Sequence, residues 1–183
     1  VSNRVTIGGR KGQAPGGLAT ALKDVLTPET LWFGWSGKRS DLSGRLTRHQ
    51  TDGAQIIAMD LSEEDYKKFY VGFANRTLWP LMHYRPGLLQ FDRSDYDGYL
   101  KVNHRFADAL MTILQPDDIV WVHDYHFIPL AACLRQRQFA GRIGFYLHIP
   151  FAPPALFSVL PPGRALLSAL CEYDHVGFQT ETD

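Results

Sequence analysis

Residues 117–129 read DDIVWVHDYHFIP, an apolar strand of alternating bulk that runs straight into His123, Asp124, Tyr125 and His126. Burying an unpaired histidine or aspartate costs on the order of several kcal/mol, so a strand that delivers such groups ends where partners or a ligand satisfy them. Residues 142–151, RIGFYLHIPF, repeat the arrangement and deliver His148. Two strands that each finish in polar groups imply one cleft at their carboxyl ends.

The rest of the chain alternates in the same style. Residues 1–5 read as the end of a strand, followed by a glycine-rich loop with Gly8, Gly9, Gly12, Gly16 and Gly17. Residues 18–25 then have helical periodicity, with Leu18, Leu22, Val25 and Leu26 on one face. Residues 31–35 and 55–61 are expected as the next strands, separated by a polar turn region over 37–53. Ser62 is placed to cap a helix, with Asp65 as its acidic partner, and Tyr66, Phe69, Tyr70 and Phe73 follow at helical spacing. A longer helix over 96–114 turns Leu100, Val102, Phe106, Leu110 and Ile113 inward and stops before Pro116. A strand over 119–122, a helix over 130–137, and strands over 143–147 and 175–178 complete the pattern. Strands buried on both faces and alternating with helices imply an α/β fold, a Rossmann-like doubly wound and mainly parallel sheet. No internal repeat or low-complexity segment interrupts it.

Composition excludes several function classes. The 183 residues are 45% hydrophobic and 21% charged, enough for one domain with a full core. Lys and Arg number 19 against 19 Asp and Glu, so no electrostatic footprint argues for nucleic acid or an anionic membrane surface. Cys133 and Cys171 lie far apart in apolar contexts, which suits structural thiols in a reducing cytoplasm better than a disulfide scaffold or a zinc site. No apolar run approaches the ~20 residues that span a bilayer, and no signal-peptide pattern opens the chain. A soluble, cytoplasmic protein is expected. The chain begins VSNRV without Met and closes on GFQTETD directly after a strand-like segment, so both ends read as cut and a fragment is expected.

In open parallel sheets ligands bind outside the carboxyl ends of the strands, and Arg4, Gly16, Gly17, Trp35, Asp124 and His148 fall at those ends. A glycine loop before a helix suits a phosphate or diphosphate, because bare backbone N–H groups and the helix N-terminus favour anions. Its spacing is neither a Walker loop nor a dinucleotide fingerprint, and a plain turn fits equally well. Trp32 and Trp35, either side of Gly34, are expected on one face of a strand, with the core the fate of at least one. Tyr70 and Trp79 stand in an aromatic stretch interleaved with Arg76 and Arg85. Stacking on nucleic acid, stacking on sugar and ordinary packing all fit that stretch, and the neutral charge disfavours the first. Rings together with Asp and His hydrogen-bonding groups suit a carbohydrate pocket. His123 and His126 flanking Asp124 suggest a metal, but no third ligand stands at recognisable spacing, and no metal is expected.

Eight motifs then carry a family resemblance: VSNR, GGLAT, LWFGWSG, the FY…LWPLMHYR stretch, FDRSDYDGYLKVN, WVHDYHFIPL, IGFYLHIPF and CEYDHVGFQTETD. In this order and over nearly the whole chain they resemble the trehalose-6-phosphate synthase family, glycosyltransferase family 20. These are retaining GT-B glucosyltransferases that join nucleotide-activated glucose to glucose 6-phosphate. The resemblance implies that residues 1–183 form the N-terminal, acceptor-side Rossmann-like domain, with the C-terminal nucleotide-sugar domain absent. It implies Arg4 and Tyr70 on the acceptor's phosphate, Asp124 on its sugar, and Trp35 and Trp79 as aromatic walls. On the donor side it implies Gly16 and Gly17 close to the diphosphate and glucose, with His148 against the donor glucose near the reacting carbon. Asp124 and His148 are thus the catalytic candidates, and His123, Tyr125 and His126 are expected to shape and support Asp124. No cofactor or metal is implied, only a nucleotide-sugar co-substrate, with UDP-glucose expected; the choice between a uridine and a guanosine donor and the oligomeric state are left open.

Departures from the family pattern are Ala152 and Ala155, where Pro and Glu are more common. Two other readings fit: a related transferase using glycerol 3-phosphate or a cyclitol phosphate as acceptor, and a non-catalytic sugar-phosphate sensor. An isolated acceptor half is expected to be inactive or nearly so.

Overall fold

Seven strands, most of them apolar runs bounded by turn residues, lie among the residues that this computed structural model describes: 1–5, 27–41, 44–50 and 54–183. The glycine-rich loop, with Gly16 and Gly17, and the helix expected over 18–25 lie outside the described residues. The chain divides into two units, Val1–Glu63 and Glu64–Asp183.

The first unit is a sheet in the order β1-β2-β4-β3, built from β1 (Ser2–Arg4), β2 (Leu31–Arg39), β3 (Leu46–Gln50) and β4 (Gln55–Leu61). Strand β2 runs parallel to both β1 and β4, while β3 is antiparallel to β4. The expected polar turn over 37–53 therefore holds the outer end of β2 and all of β3. That strand, LTRHQ, carries no apolar alternation because it is bonded on one side only and is half-exposed. Its order comes from backbone pairing to the buried β4. The two tryptophans do not share a face, since side chains on a pleated strand alternate and residues three apart point opposite ways. Trp32 packs partly buried against Val5, Ile56 and Ala58 and donates its indole N–H to Ser2 Oγ at 2.7 Å. Trp35 is 5% exposed and donates to the Lys38 carbonyl at 2.8 Å. Gly34 lets β1 approach β2, because a Cβ there would sit 2.5 Å from the Ser2 carbonyl oxygen and 2.9 Å from Val5 Cγ1.

The second unit has a parallel sheet of β5 (Val120–His123), β6 (Ile143–Tyr146) and β7 (His175–Gly177) in that order. Its helices, counting from Glu63 at the junction, are α1 (Glu63–Asp65), a π-helix (Tyr66–Leu78), α2 (Trp79–Met82), α3 (Arg93–Met111), α4 (Leu130–Gln136), α5 (Pro154–Phe157) and α6 (Gly163–Leu170). Helix α3 starts three residues earlier than its apolar periodicity indicates. Asp92 caps it, its carboxylate accepting from the N–H groups of Ser94 at 2.7 Å and Asp95 at 3.2 Å. Asp65 is buried and pairs with Lys101 at 3.1 Å and with Arg105. The stretch expected as an α-helix from Tyr66 winds instead with i to i+5 spacing, and it packs closely on α3 through two glycines. A Cβ on Gly72 would strike the Asp95 carboxylate, and one on Gly98 would strike Lys68. Between them lies an aromatic core: Phe73 to Tyr99 at 4.7 Å between centroids, Phe69 to Tyr99 at 5.8 Å, Phe69 to Phe127 at 5.9 Å and Phe106 to Phe127 at 4.7 Å. Each such ring, fully buried, contributes about 1.5–3 kcal/mol. Cys133 is buried, and burial pushes its thiol up to about 11, whereas Cys171 is exposed, so the apolar context expected of both holds for Cys133. Among the described residues no helix is long and apolar enough to cross a membrane.

Candidate functional site

Strand β5 pairs with β6 in register, Val120 with Ile143 through His123 with Tyr146. The two strands therefore finish side by side, and the next residues, Asp124 on one and Leu147–His148 on the other, fall together. Asp124 has φ 71° and ψ 162°, a region that only glycine enters without strain; another residue there costs about 1–3 kcal/mol and persists only where its surroundings hold it. Three hydrogen bonds do so. The Asp124 N–H donates to the Tyr146 carbonyl at 2.9 Å, its own carbonyl accepts from the Phe127 N–H at 3.1 Å, and its Oδ1 accepts from the His148 N–H at 2.9 Å. Among the described residues Oδ2 has no hydrogen-bond partner. Burial raises the Asp124 carboxyl above its ordinary range, against the hydrogen bond from the His148 N–H, which acts to lower it. The result is a partly buried carboxylate with one oxygen fixed and one available.

The histidines of the cluster are not alike. His123, 6% exposed, sets Nδ1 3.0 Å from Nε2 of the half-buried His148. His126 is as buried, and neither of its ring nitrogens has a partner among the described residues. Burial pushes both His123 and His126 down to about 3, so both are neutral in ordinary buffers. His126 is used as a ring: it stacks on Tyr70 at 5.7 Å and 11° between planes, and meets Tyr125 at 4.2 Å with the planes tilted by 30°. Tyr70 in turn stacks on Tyr66 at 5.5 Å. Tyr125 donates its hydroxyl to Asn75 Oδ1 at 2.9 Å, and burial above all raises that phenol. From α3, Tyr99 donates to the Tyr125 carbonyl at 2.7 Å and Asn103 to the His126 carbonyl at 3.1 Å. The turn after β5 is thus pinned from the π-helix and α3 together.

The second unit therefore joins three of the expected site residues, Asp124 and His148 directly and Tyr70 through His126. Trp79 belongs to the same unit, 40% exposed and stacked on His83 at 4.0 Å. Arg4 and Trp35 belong to the first unit, where the guanidinium lies 5.9 Å from the indole centroid. A Cβ on Gly37, which has φ 82°, would meet Arg4 Nε at 2.8 Å, so this glycine makes room for the guanidinium. Arg4 is exposed and, among the described residues, no acidic side chain pairs with it. That leaves five donors for an anion. Sequence reasoning missed Asn75, Tyr99 and Asn103. Asn75 stands in the aromatic motif and was open to detection as a lone amide among rings, but the other two are unmarked on a helix face. Ala152 is fully buried, a site that accepts the small side chain by packing.

Residues 9–183 match the model of glycosyltransferase family 20. Among curated relatives, the chain is 45% identical over 184 aligned residues to "Trehalose-6-phosphate synthase" of Sodalis glossinidius, covering 100% of this chain and 39% of the relative. The chain spans about two fifths of the length of the relatives it matches. Among solved structures, an alpha,alpha-trehalose-phosphate synthase (UDP-forming) from Burkholderia xenovorans in complex with glucose-6-phosphate superposes with TM-score 0.91. It is 44% identical, and the match covers 100% of this chain and 40% of that one. A structure described as trehalose-6-phosphate from E. coli bound with UDP-2-fluoro glucose superposes with TM-score 0.85 at 45% identity, covering 99% of this chain and 40% of that one.

Proposed function

The chain belongs to glycosyltransferase family 20, and from that premise we propose that it is the N-terminal, acceptor-side part of a retaining glucosyltransferase that makes trehalose 6-phosphate from UDP-glucose and glucose 6-phosphate in the cytoplasm. The observation that carries the reading is the likeness, at TM-score 0.91 over 100% of this chain and 40% of the other, to a synthase in complex with glucose-6-phosphate. The local chemistry agrees with it. Arg4, exposed and without an acidic partner among the described residues, suits a phosphate dianion, and Tyr70, stacked between Tyr66 and His126, offers a rigid phenol for the same group. Asp124 keeps one carboxylate oxygen on the His148 N–H and has the other for sugar hydroxyls. Trp35 and Trp79 supply flat apolar faces, although Trp35 is almost buried and Trp79 is the more available of the two. Gly16 and Gly17, which lie outside the described residues, are assigned by the family resemblance to the donor's diphosphate, and His148 to its glucose.

Transfer with retention, acceptor hydroxyl and leaving diphosphate on one face of the donor sugar, asks this part of the protein for orientation and charge stabilisation more than for covalent chemistry. The test is made on the full-length protein. Trehalose 6-phosphate should form from UDP-glucose and glucose 6-phosphate, and Arg4→Ala should raise KM for glucose 6-phosphate with little change in kcat. Product formed with glycerol 3-phosphate in its place would reassign the acceptor, and binding without turnover would reassign the protein as a sensor.

A further inference from the structure

The contact between His123 Nδ1 and His148 Nε2, at 3.0 Å, is too close for two bare nitrogens or for two N–H groups, so one hydrogen lies between them. Which ring owns it decides what His148 has left to offer. His123 is held on the last position of β5, opposite Tyr146, with its ring buried and roughly parallel to the ring of Trp121 at 6.3 Å. His148 is half-buried, its backbone N–H tied to Asp124 Oδ1 and its ring 4.8 Å from that of Tyr146. A neutral imidazole side chain intrinsically prefers its hydrogen on Nε2. If both rings keep that form, His148 Nε2–H donates and His123 Nδ1 accepts. The reverse assignment puts both rings in the less favoured tautomer.

We propose that His123 is a positioning residue that accepts the Nε2 hydrogen of His148, fixing the ring's orientation and tautomer so that Nδ1 is the nitrogen His148 presents to a ligand. The inference deepens the reading above and rests on His148 standing on the donor side. His123 touches no reacting atom; it acts through His148. Burial keeps His123 neutral, which makes it an acceptor that does not switch off between about pH 5 and 9, well above the value of about 3 to which burial pushes it.

The test is nitrogen-15 NMR of the full-length protein labelled at histidine, with UDP-glucose kinetics alongside. The neutral form of His148 is expected with Nε2 protonated and Nδ1 bare. A His148 found as the Nδ1–H tautomer, or averaging between the two, overturns the proposal with no variant needed. His123→Asn puts an amide where Nδ1 stood and should preserve both the tautomer and kcat/KM for UDP-glucose. His123→Phe keeps a ring but no acceptor. It should release the tautomer and lower kcat/KM for UDP-glucose about three- to tenfold, the worth of one neutral hydrogen bond, with KM for glucose 6-phosphate unmoved. A folded His123→Phe protein with unchanged spectrum and kinetics refutes it; if that variant does not fold, the parent spectrum and His123→Asn decide. His148→Ala separates the two claims: unchanged UDP-glucose kinetics there would remove His148 from the donor side while the tautomer result stood.

Discussion

Asp124 occupies a backbone conformation with φ 71° that an aspartate adopts only under constraint. The strain and the function can be separated by substitution. Asp124→Asn keeps the shape and the bond from the His148 N–H but loses the charge, so kcat/KM for transfer should fall by roughly 10- to 150-fold, one charge-assisted bond of about 1.5–3 kcal/mol. Asp124→Gly removes the strain along with the carboxylate; unfolding by urea should show stability no more than about 1 kcal/mol below the parent, while transfer is lost. An Asn variant that unfolds would leave Asp124 a structural role only. His126 gives a contrasting case. Its two nitrogens, without a partner among the described residues, are a burden that His126→Phe relieves while keeping a ring against Tyr70, so stability should rise by about 1 kcal/mol. A fall instead would show that solvent reaches those nitrogens. Acid dependence follows from the same burial. His123 and His126 titrate near 3 when folded, against 6.5 in the free side chain, so the unfolded chain binds more protons between those values. Stability is full above about pH 6.5 and is lost as pH falls, at up to about 1.4 kcal/mol per pH unit for each ring. The raised Asp124 carboxyl works the other way just above its ordinary titration range, where the folded state binds the extra proton. Urea unfolding from pH 8 to 4 measures the sum, and a flat profile would contradict it.

Among elements, the pairing of the π-helix with α3 depends on two residues that lack side chains. Gly72→Ala pushes a methyl into the Asp95 carboxylate, which Arg76 already holds at 2.7 Å, and should destabilise the second unit by about 1–3 kcal/mol. Hydrogen exchange in α3 would show it, and unchanged protection would mean that the helices separate without cost. The elements differ in how readable they were. Strands β4, β5 and β6 are apolar on both faces, and their polar neighbours mark where they stop. Strand β3 has no such signature, because an edge strand is ordered by its partner's backbone. The start of α3 was hidden because its cap, Asp92, precedes the first apolar position. Trp32 and Trp35 fall on opposite faces of β2, against the expectation of a shared face, because alternation separates residues three apart, and their indoles bond to Ser2 and to Lys38 respectively.

At the scale of the molecule, the expected site residues are divided by unit, Arg4 and Trp35 in the first and Tyr70, Trp79, Asp124 and His148 in the second. The chain spans 39% of the Sodalis relative, and the acceptor-side role proposed above expects donor contacts from the remainder of such a protein. Expressed alone, these 183 residues should release no measurable nucleoside diphosphate from UDP-glucose and glucose 6-phosphate, whereas the full-length protein should. Turnover by the short chain would place the whole catalytic apparatus within it. What the sequence determined by itself was the alternation of strands and helices, the polar strand ends and the ordered motifs of the family, because these are written in local periodicity and in residue identity. What only the tertiary structure decided was how the polar ends are used: the positive φ at Asp124, the division of its two oxygens, the His123–His148 link and the stacking of Tyr70 on His126. Those partners lie 24 and 25 residues apart in the two hydrogen bonds. Contacts over that span are fixed by strand register and helix packing, and no local pattern encodes them.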